Sequence, residues 1–173
     1  TSRSEGVIVL EHWQGNRTPF VDPYSRGVIR GLSLKHTPIH IYRAIMEGVA
    51  YGTEVILRVI KENKYNIKEI IACGGTTKSK LWLQIYADVT GLPIKTTTTP
   101  EAAALGSAIL GAVAAGKYGS IIEAAGKMVK FKDIITPDMN NHNKYKFFVN
   151  QYEKTYLSLK DSMYEIDKYI SNL

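Results

Sequence analysis

The succession of apolar and polar positions lays out short strands alternating with helices. Gly6–Trp13 (GVIVLEHW) has the length and apolar content of a strand. Val28–Leu34 (VIRGLSL) is a second strand, and Gly31 inside it marks a bulge or a close approach by another backbone. Between them, Gly15–Gly27 carries two prolines and the turn formers Gly15, Asn16 and Asp22, so it is a long ordered loop. Thr37-Pro38 then opens a helix, with Thr as N-cap and Pro at the first helical position. Ile41, Ile45, Val49, Gly52, Val55, Ile56 and Val59 continue it with helical spacing. Ala44, Gly48 and Gly52 form a ridge of small residues on that helix. A helical glycine costs about 1 kcal/mol, so the ridge predicts a close contact with a sheet or another helix.

Lys68–Cys73 is a compact strand that runs into Gly74-Gly75. A helix follows over Ser79–Thr90, ended by Gly91. Leu92–Thr96 is another strand. Thr99-Pro100-Glu101 repeats the Thr-Pro start and opens a helix of small residues to about Ala115. This order predicts an α/β layered sheet with parallel strands in its second half. Asn140–Leu173 differs in character. Tyr145, Phe148, Tyr152, Tyr156, Leu159, Met163, Ile166 and Ile170 recur at steps of three or four, which predicts a long amphipathic helix docked on the domain. A partner-binding or dimerising helix is the alternative. The organisation expected is a domain over residues 1–139 with the helix 140–173 packed on it.

Composition narrows the function classes. At 173 residues, 45% hydrophobic and 22% charged, the chain has the profile of one globular domain. Its 22 Lys and Arg against 16 Asp and Glu leave +6, spread along the chain rather than gathered in a stripe, so no nucleic-acid surface is expected. The longest apolar run, Ala102–Gly116, falls short of the about 20 residues a membrane span needs, which predicts a buried helix and no membrane association. A single Cys, no metal-ligand cluster and no signal-like start in TSRSEG point to a reducing, cytoplasmic setting.

The chemistry concentrates in Ile70–Asp88, IIACGGTTKSKLWLQIYAD. Two adjacent glycines after a strand let a flat ring or a phosphate approach the backbone. The helix start beyond them offers unpaired N–H groups and a positive dipole end. Thr76 and Ser79 add hydroxyls there. The segment is thus a candidate ligand cradle made of Gly74, Gly75, Thr76 and Ser79; the alternative is a plain strand–turn–helix corner. His40, Arg43 and Glu47 share one helix face, expected to be solvated with an intrahelical ion pair, although they could form a small polar network. Asp22 is expected to form a turn, and Asp88 to be structural.

Gly27-x-Ile29-x-Gly31-Leu32, followed after seven residues by His40-Ile41-x-x-Ala44-Ile45-Met46-Glu47, resembles the second signature of the FGGY carbohydrate kinases. The GNRTP loop with Asp22-Pro23, the segment GGTTKSKLWLQIYAD and Glu101-Ala-Ala-Ala-Leu-Gly-Ser-Ala resemble the same family, over about Gly6 to Gly119. WQGNRTP, LQIYADVTG and ILGAVAAGKYGSI look most like its ribulokinase branch. The resemblance implies an actin-like, ribonuclease H-like ATPase domain, the C-terminal one of a two-domain sugar kinase, here lacking its first strands. It implies transfer of the γ-phosphoryl group of ATP, with Mg2+, to the hydroxyl of a ketopentose or related polyol. It places Gly74, Gly75, Thr76 and Ser79 at the adenine and ribose, with a departure at Thr76, where many relatives have Ala or Gly. It also implies that the catalytic base, the phosphate-gripping Gly-Thr turn and the sugar-contacting residues of the first domain lie upstream of Thr1, so that this chain alone has no turnover. The reading from a different class is a non-catalytic actin-like scaffold acting through the C-terminal helix.

Overall fold

The computed structural model describes residues 4–173. It contains β1 (Ile8–Leu10), β2 (Val28–Arg30), α1 (Pro38–Glu62), β3 (Ile70–Ala72), a 3-10 turn (Gly75–Lys78), α2 (Lys80–Thr90), β4 (Ile94–Thr97), α3 (Ala102–Ala114), α4 (Ile121–Met128), β5 (Phe131–Ile135) and α5 (Met139–Ser171). They fall into two compact units. One comprises the described residues up to Ile67 with Asp88–Gly91 and Pro137–Leu173, and the other Lys68–Ala87 with Leu92–Thr136.

In the first unit β1 and β2 pair antiparallel, Val9 opposite Ile29. Val7 and Val9 bury against Ala44 of α1, with Ile45 packed beside them. The small ridge has the close contact its cost requires. A Cβ at Gly48 would lie 2.5 Å from the Val9 carbonyl oxygen, and one at Gly52 would lie 2.3 Å from Glu11 Oε1. Helix α1 starts after Thr37, whose backbone N–H donates to Nδ1 of His40 at 3.1 Å. His40 therefore caps the helix.

Arg43 and Glu47 correct the expectation of a solvated face. Glu47 is fully buried. It accepts from Arg43 Nε at 2.8 Å, from the Tyr145 hydroxyl at 2.8 Å and from the Tyr51 hydroxyl at 3.4 Å. The cause is α5, which covers this side of α1 and could not be placed from helical spacing alone.

Helix α5 begins at Asp138, whose Oδ1 accepts from the N–H groups of Asn140 and Asn141. It docks through its predicted stripe, but only in part. Tyr145, Tyr152, Tyr156 and Met163 are buried, while Ile166 and Ile170 near its end are exposed. Each buried tyrosine donates to a carboxylate: Tyr145 to Glu47, Tyr152 to Glu11 at 2.9 Å, and Tyr156 to Asp22 at 2.8 Å. Buried hydroxyls need such partners. The Tyr152 hydroxyl also lies 2.9 Å from His12 Nε2, and His12 Nδ1 lies 2.7 Å from the Ser25 hydroxyl. Asp88, in the last turn of α2, accepts from the N–H of Asp138 at 2.9 Å and from the Asn141 amide at 3.2 Å.

In the second unit the sheet order is β3-β4-β5. β3 and β4 are parallel, Ile70 opposite Ile94, whereas β5 runs antiparallel to β4. The expected parallel pairing is present between β3 and β4, while β5 and α4 escape a reading by pattern. Phe131 to Asp133 and Ile134 of β5 are all exposed, so no alternation marks it as a strand. Leu83 and Ala87 of α2 cover Ile94, with Ile70, Ala72 and Ile135 packed around them. Helix α3 corrects a second expectation. Only Ile109 in it is buried, and α4 is its main neighbour, so its apolar run is largely exposed. No helix among the described residues is long and apolar enough to cross a membrane.

Two helix-interior glycines separate packing from propensity. Gly48→Ala gains about 1 kcal/mol of helix propensity but drives a methyl against the Val9 carbonyl, and overpacking costs about 1–3 kcal/mol. The expected result is a lower urea midpoint. Gly111→Ala in α3 meets no atom within 4 Å, and it should raise the midpoint of the second unit.

Glu11 gives a pH prediction. Burial holds its carboxyl up at about 7, against the opposing bonds from Tyr152 and its own backbone. Its folded value lies above its unfolded one, so the native state holds this proton more tightly. Ionising Glu11 then costs nothing extra below about 4.5, an increasing amount between about 4.5 and 7, and a constant amount above. Burial also lowers the pKa of His12, with Asp22 opposing, which removes stability as pH falls through the unfolded histidine range. Glu11→Gln retains His12, so the difference between the two stability profiles isolates Glu11. That difference should move in favour of Glu11→Gln by on the order of 3 kcal/mol from pH 4.5 to pH 8. Parallel profiles in urea titrations would contradict the assignment.

Candidate functional site

The site follows from how β3 ends. Beyond Ala72 the chain passes Cys73, which is exposed, and turns at Gly74 with φ +76. That left-handed conformation favours glycine. The Gly74 N–H donates to the Pro100 carbonyl at 2.9 Å, which ties the turn to the segment after β4. The Gly74 carbonyl accepts from the Thr77 hydroxyl at 2.7 Å and the Thr77 N–H at 3.2 Å. These bonds close the 3-10 turn Gly75–Lys78. Ser79 then serves as the cap of α2, its hydroxyl oxygen accepting from the Trp82 N–H at 3.2 Å. The Ser79 hydroxyl proton is not consumed by that bond.

Gly74, Gly75, Thr76 and Ser79 thus stand on one hydrogen-bonded turn at the carboxyl end of β3. The two glycines differ in their requirement. Gly74 is needed for its backbone angle. Gly75 does not have a positive φ, and a Cβ there would meet no atom within 4 Å. Neither backbone nor packing asks for glycine at 75. Its bare backbone instead leaves open space over the turn. Thr77, a polar neighbour in the sequence, is spent on holding the turn.

A cavity of about 760 Å3 has Thr77 and Lys78 of the same turn in its walls, with Lys80, Thr97 and Lys132. Three ammonium groups against the single carboxylate of Asp133 make this region of the second unit positive. Such surroundings suit a phosphate-bearing ligand. The turn fits the base and sugar of a nucleotide, since an open bare backbone and a helix start with a free hydroxyl are what a flat heterocycle and a ribose use. No group of three His, Cys, Asp or Glu side chains able to hold a metal occurs among the described residues.

Neither anticipated aspartate is placed for acid–base chemistry. Asp22 Oδ1 accepts from the N–H groups of Tyr24 and Ser25 while Oδ2 accepts from Tyr156. Asp88 holds the start of α5. Sequence reasoning missed Glu11, His12 and Tyr152. The signal available was an acidic residue and a histidine directly after an apolar strand and before a turn-rich loop.

Residues 1–115 match the FGGY family of carbohydrate kinases, C-terminal domain. The ribulokinase of Bacillus licheniformis is 40% identical over 157 residues, which is 87% of this chain and 28% of that protein. The ribulokinase of Geobacillus thermodenitrificans is 41% identical over 155 residues, 86% of this chain and 28% of that protein. The crystal structure of xylulose kinase from Rhodospirillum rubrum superposes with a TM-score of 0.78 at 27% identity, covering 93% of this chain and 32% of that one. The chain therefore spans about a third or less of the length of the proteins it matches. The α/β, actin-like fold expected of the sequence is the fold of these kinases. This chain belongs to the FGGY family of carbohydrate kinases, whose C-terminal domain it carries.

Proposed function

We propose that the whole protein phosphorylates a sugar hydroxyl with ATP, and that this chain supplies the adenosine end of the nucleotide site. The acceptor is a ketopentose or a related polyol, in keeping with the ribulokinases and the xylulose kinase that the chain resembles. Gly74 and Gly75 lie under the adenine, and Thr76 and Ser79 face the ribose. The observation that carries this reading is Gly75, a glycine that neither its φ nor its packing requires, on a turn facing open space.

The acceptor hydroxyl attacks the γ-phosphorus and gives up its proton to a base that this chain does not supply, the bond to the β–γ bridging oxygen breaks, and ADP leaves with that oxygen. Mg2+ on the phosphates supplies charge neutralisation when bound. This chain's part is to bind and orient the nucleoside so that the phosphates point consistently at the acceptor. Asp22 and Asp88 are committed to other hydrogen bonds, so no base is assigned within this chain, and the isolated chain has no turnover. The setting is cytoplasmic, where ATP and reduced thiols prevail.

Calorimetric titration of the chain with ATP tests the site. Gly75→Val places a branched side chain over the turn, where a Cβ meets no atom within 4 Å, so circular dichroism should be unchanged while ATP affinity falls by about tenfold or more, equivalent to about 1.4 kcal/mol. Equal affinity of the two proteins would refute the cradle.

A further inference from the structure

Helix α5 carries one apolar seam along its length, and its own unit covers only the first part of it. Tyr145, Val149, Tyr152 and Tyr156 are buried. Leu159, Met163, Ile166, Ile170 and Leu173 continue the series in the same alternating steps of four and three. Such steps average 3.5 residues, the period of a seam between two helices that wind around each other. Past Met163 the seam has no cover: Ile166 is 58% exposed, Ile170 62% and Leu173 90%. Single exposed apolar residues are ordinary, but a continuous stripe of them marks a contact surface.

The stripe borders a groove of about 450 Å3, in which Gly27 and Val28 share the walls with Leu159, Met163, Ile166 and Ile170. The groove is mostly apolar. The two charged groups in its walls, Arg26 and Asp167, are paired with each other. It therefore suits a row of apolar side chains, as another helix presents, rather than a polar small molecule.

The charges beside the seam identify the occupant. Lys160 follows Leu159 and Asp167 follows Ile166, so both stand at the same flanking position, one heptad apart. When two such helices run antiparallel, these flanking positions face each other and select the partner by charge. A second copy of α5 laid antiparallel brings Lys160 of each copy beside Asp167 of the other, twice by symmetry. The same register packs Leu159 of one copy on Ile170 of the other, and Met163 on Ile166. A parallel pair brings neither charge to its opposite. Arg26 holds Oδ1 of Asp167, and a carboxylate accepts from more than one donor, so the pairing does not require Arg26 to leave. We propose that the chain forms a homodimer through this groove, an antiparallel pair of α5 helices about a twofold axis between Tyr164 and Glu165. The surface is self-complementary, as a twofold contact requires. It shares no residue with the nucleotide turn.

Sedimentation equilibrium of the chain tests this. A monomer–dimer equilibrium with a Kd of about 10 μM or tighter is expected. Ile166→Glu puts a charge into the seam at an exposed position, so circular dichroism should hold while the Kd rises by about 100-fold or more. Lys160→Glu, an exposed polar exchange, sets two pairs of like charges face to face and should weaken the dimer by about tenfold or more. Gly75→Val should dimerise as the unsubstituted chain does, which separates this inference from the nucleotide reading. The proposal is overturned if the chain stays monomeric up to about 200 μM, which would leave the groove to a different occupant. It is overturned equally if the dimer survives Ile166→Glu, which would place the contact on another surface. Undiminished dimerisation of Lys160→Glu would exclude the antiparallel pair, and this variant decides alone should Ile166→Glu lose helix.

Discussion

Three tyrosine hydroxyls on α5 reach three carboxylates, and the first unit is organised around these bonds. Glu47 belongs to α1, Glu11 follows β1, and Asp22 sits in the loop between β1 and β2. One helix thus gathers the three elements that make the unit, and it does so with buried polar pairs rather than apolar contact alone. The energetics are asymmetric. Such a bond adds only about 1 kcal/mol when made, but a buried carboxylate that loses its donor costs about 1–3 kcal/mol or more. Departure of α5 would take one donor from each of the three acids at once, leaving Glu47 with Arg43 and Tyr51 and Asp22 with the N–H groups of Tyr24 and Ser25. The same bonds raise the tyrosine pKa values above their ordinary range, chiefly by burial, with the adjacent carboxylates adding to it. The tyrosines therefore stay protonated and remain donors across the physiological range.

Glycine serves three separate purposes along the chain. At 48 and 52 its missing side chain admits β1 and Glu11 against α1. At 74 it supplies a left-handed angle. At 75 it does neither, and what remains is clearance. Separating these purposes turns a weak sequence signal, two glycines after a strand, into a specific expectation about one residue.

Much of this architecture was legible because it is local. The Thr-Pro helix start, the Gly48 and Gly52 ridge and the tyrosine stripe each follow from spacing, and the family motifs are contiguous runs. What could not be read depends on which surface is covered. Glu47 looked solvated because nothing in α1 announces that Tyr145, roughly a hundred positions later, lies over it. The α3 helix looked buried because an all-apolar composition normally implies burial, yet only Ile109 is enclosed. Strand β5 was invisible because an exposed edge strand need not alternate. In the candidate site, the turn was legible from its glycines and hydroxyls. The cluster of Glu11, His12 and Tyr152 was not, since Tyr152 comes from α5, 140 positions after His12.

Cys73 follows the strand that leads into the nucleotide turn, is exposed, and is the chain's only cysteine. Its thiol stands one residue from Gly74. This chain therefore carries a natural single-point attachment beside its candidate site. An alkylating dye would attach there stoichiometrically and nowhere else, so the rate of that reaction becomes a clock for how freely solvent reaches the turn. A nucleotide seated over Gly75 would slow the clock without any engineered residue.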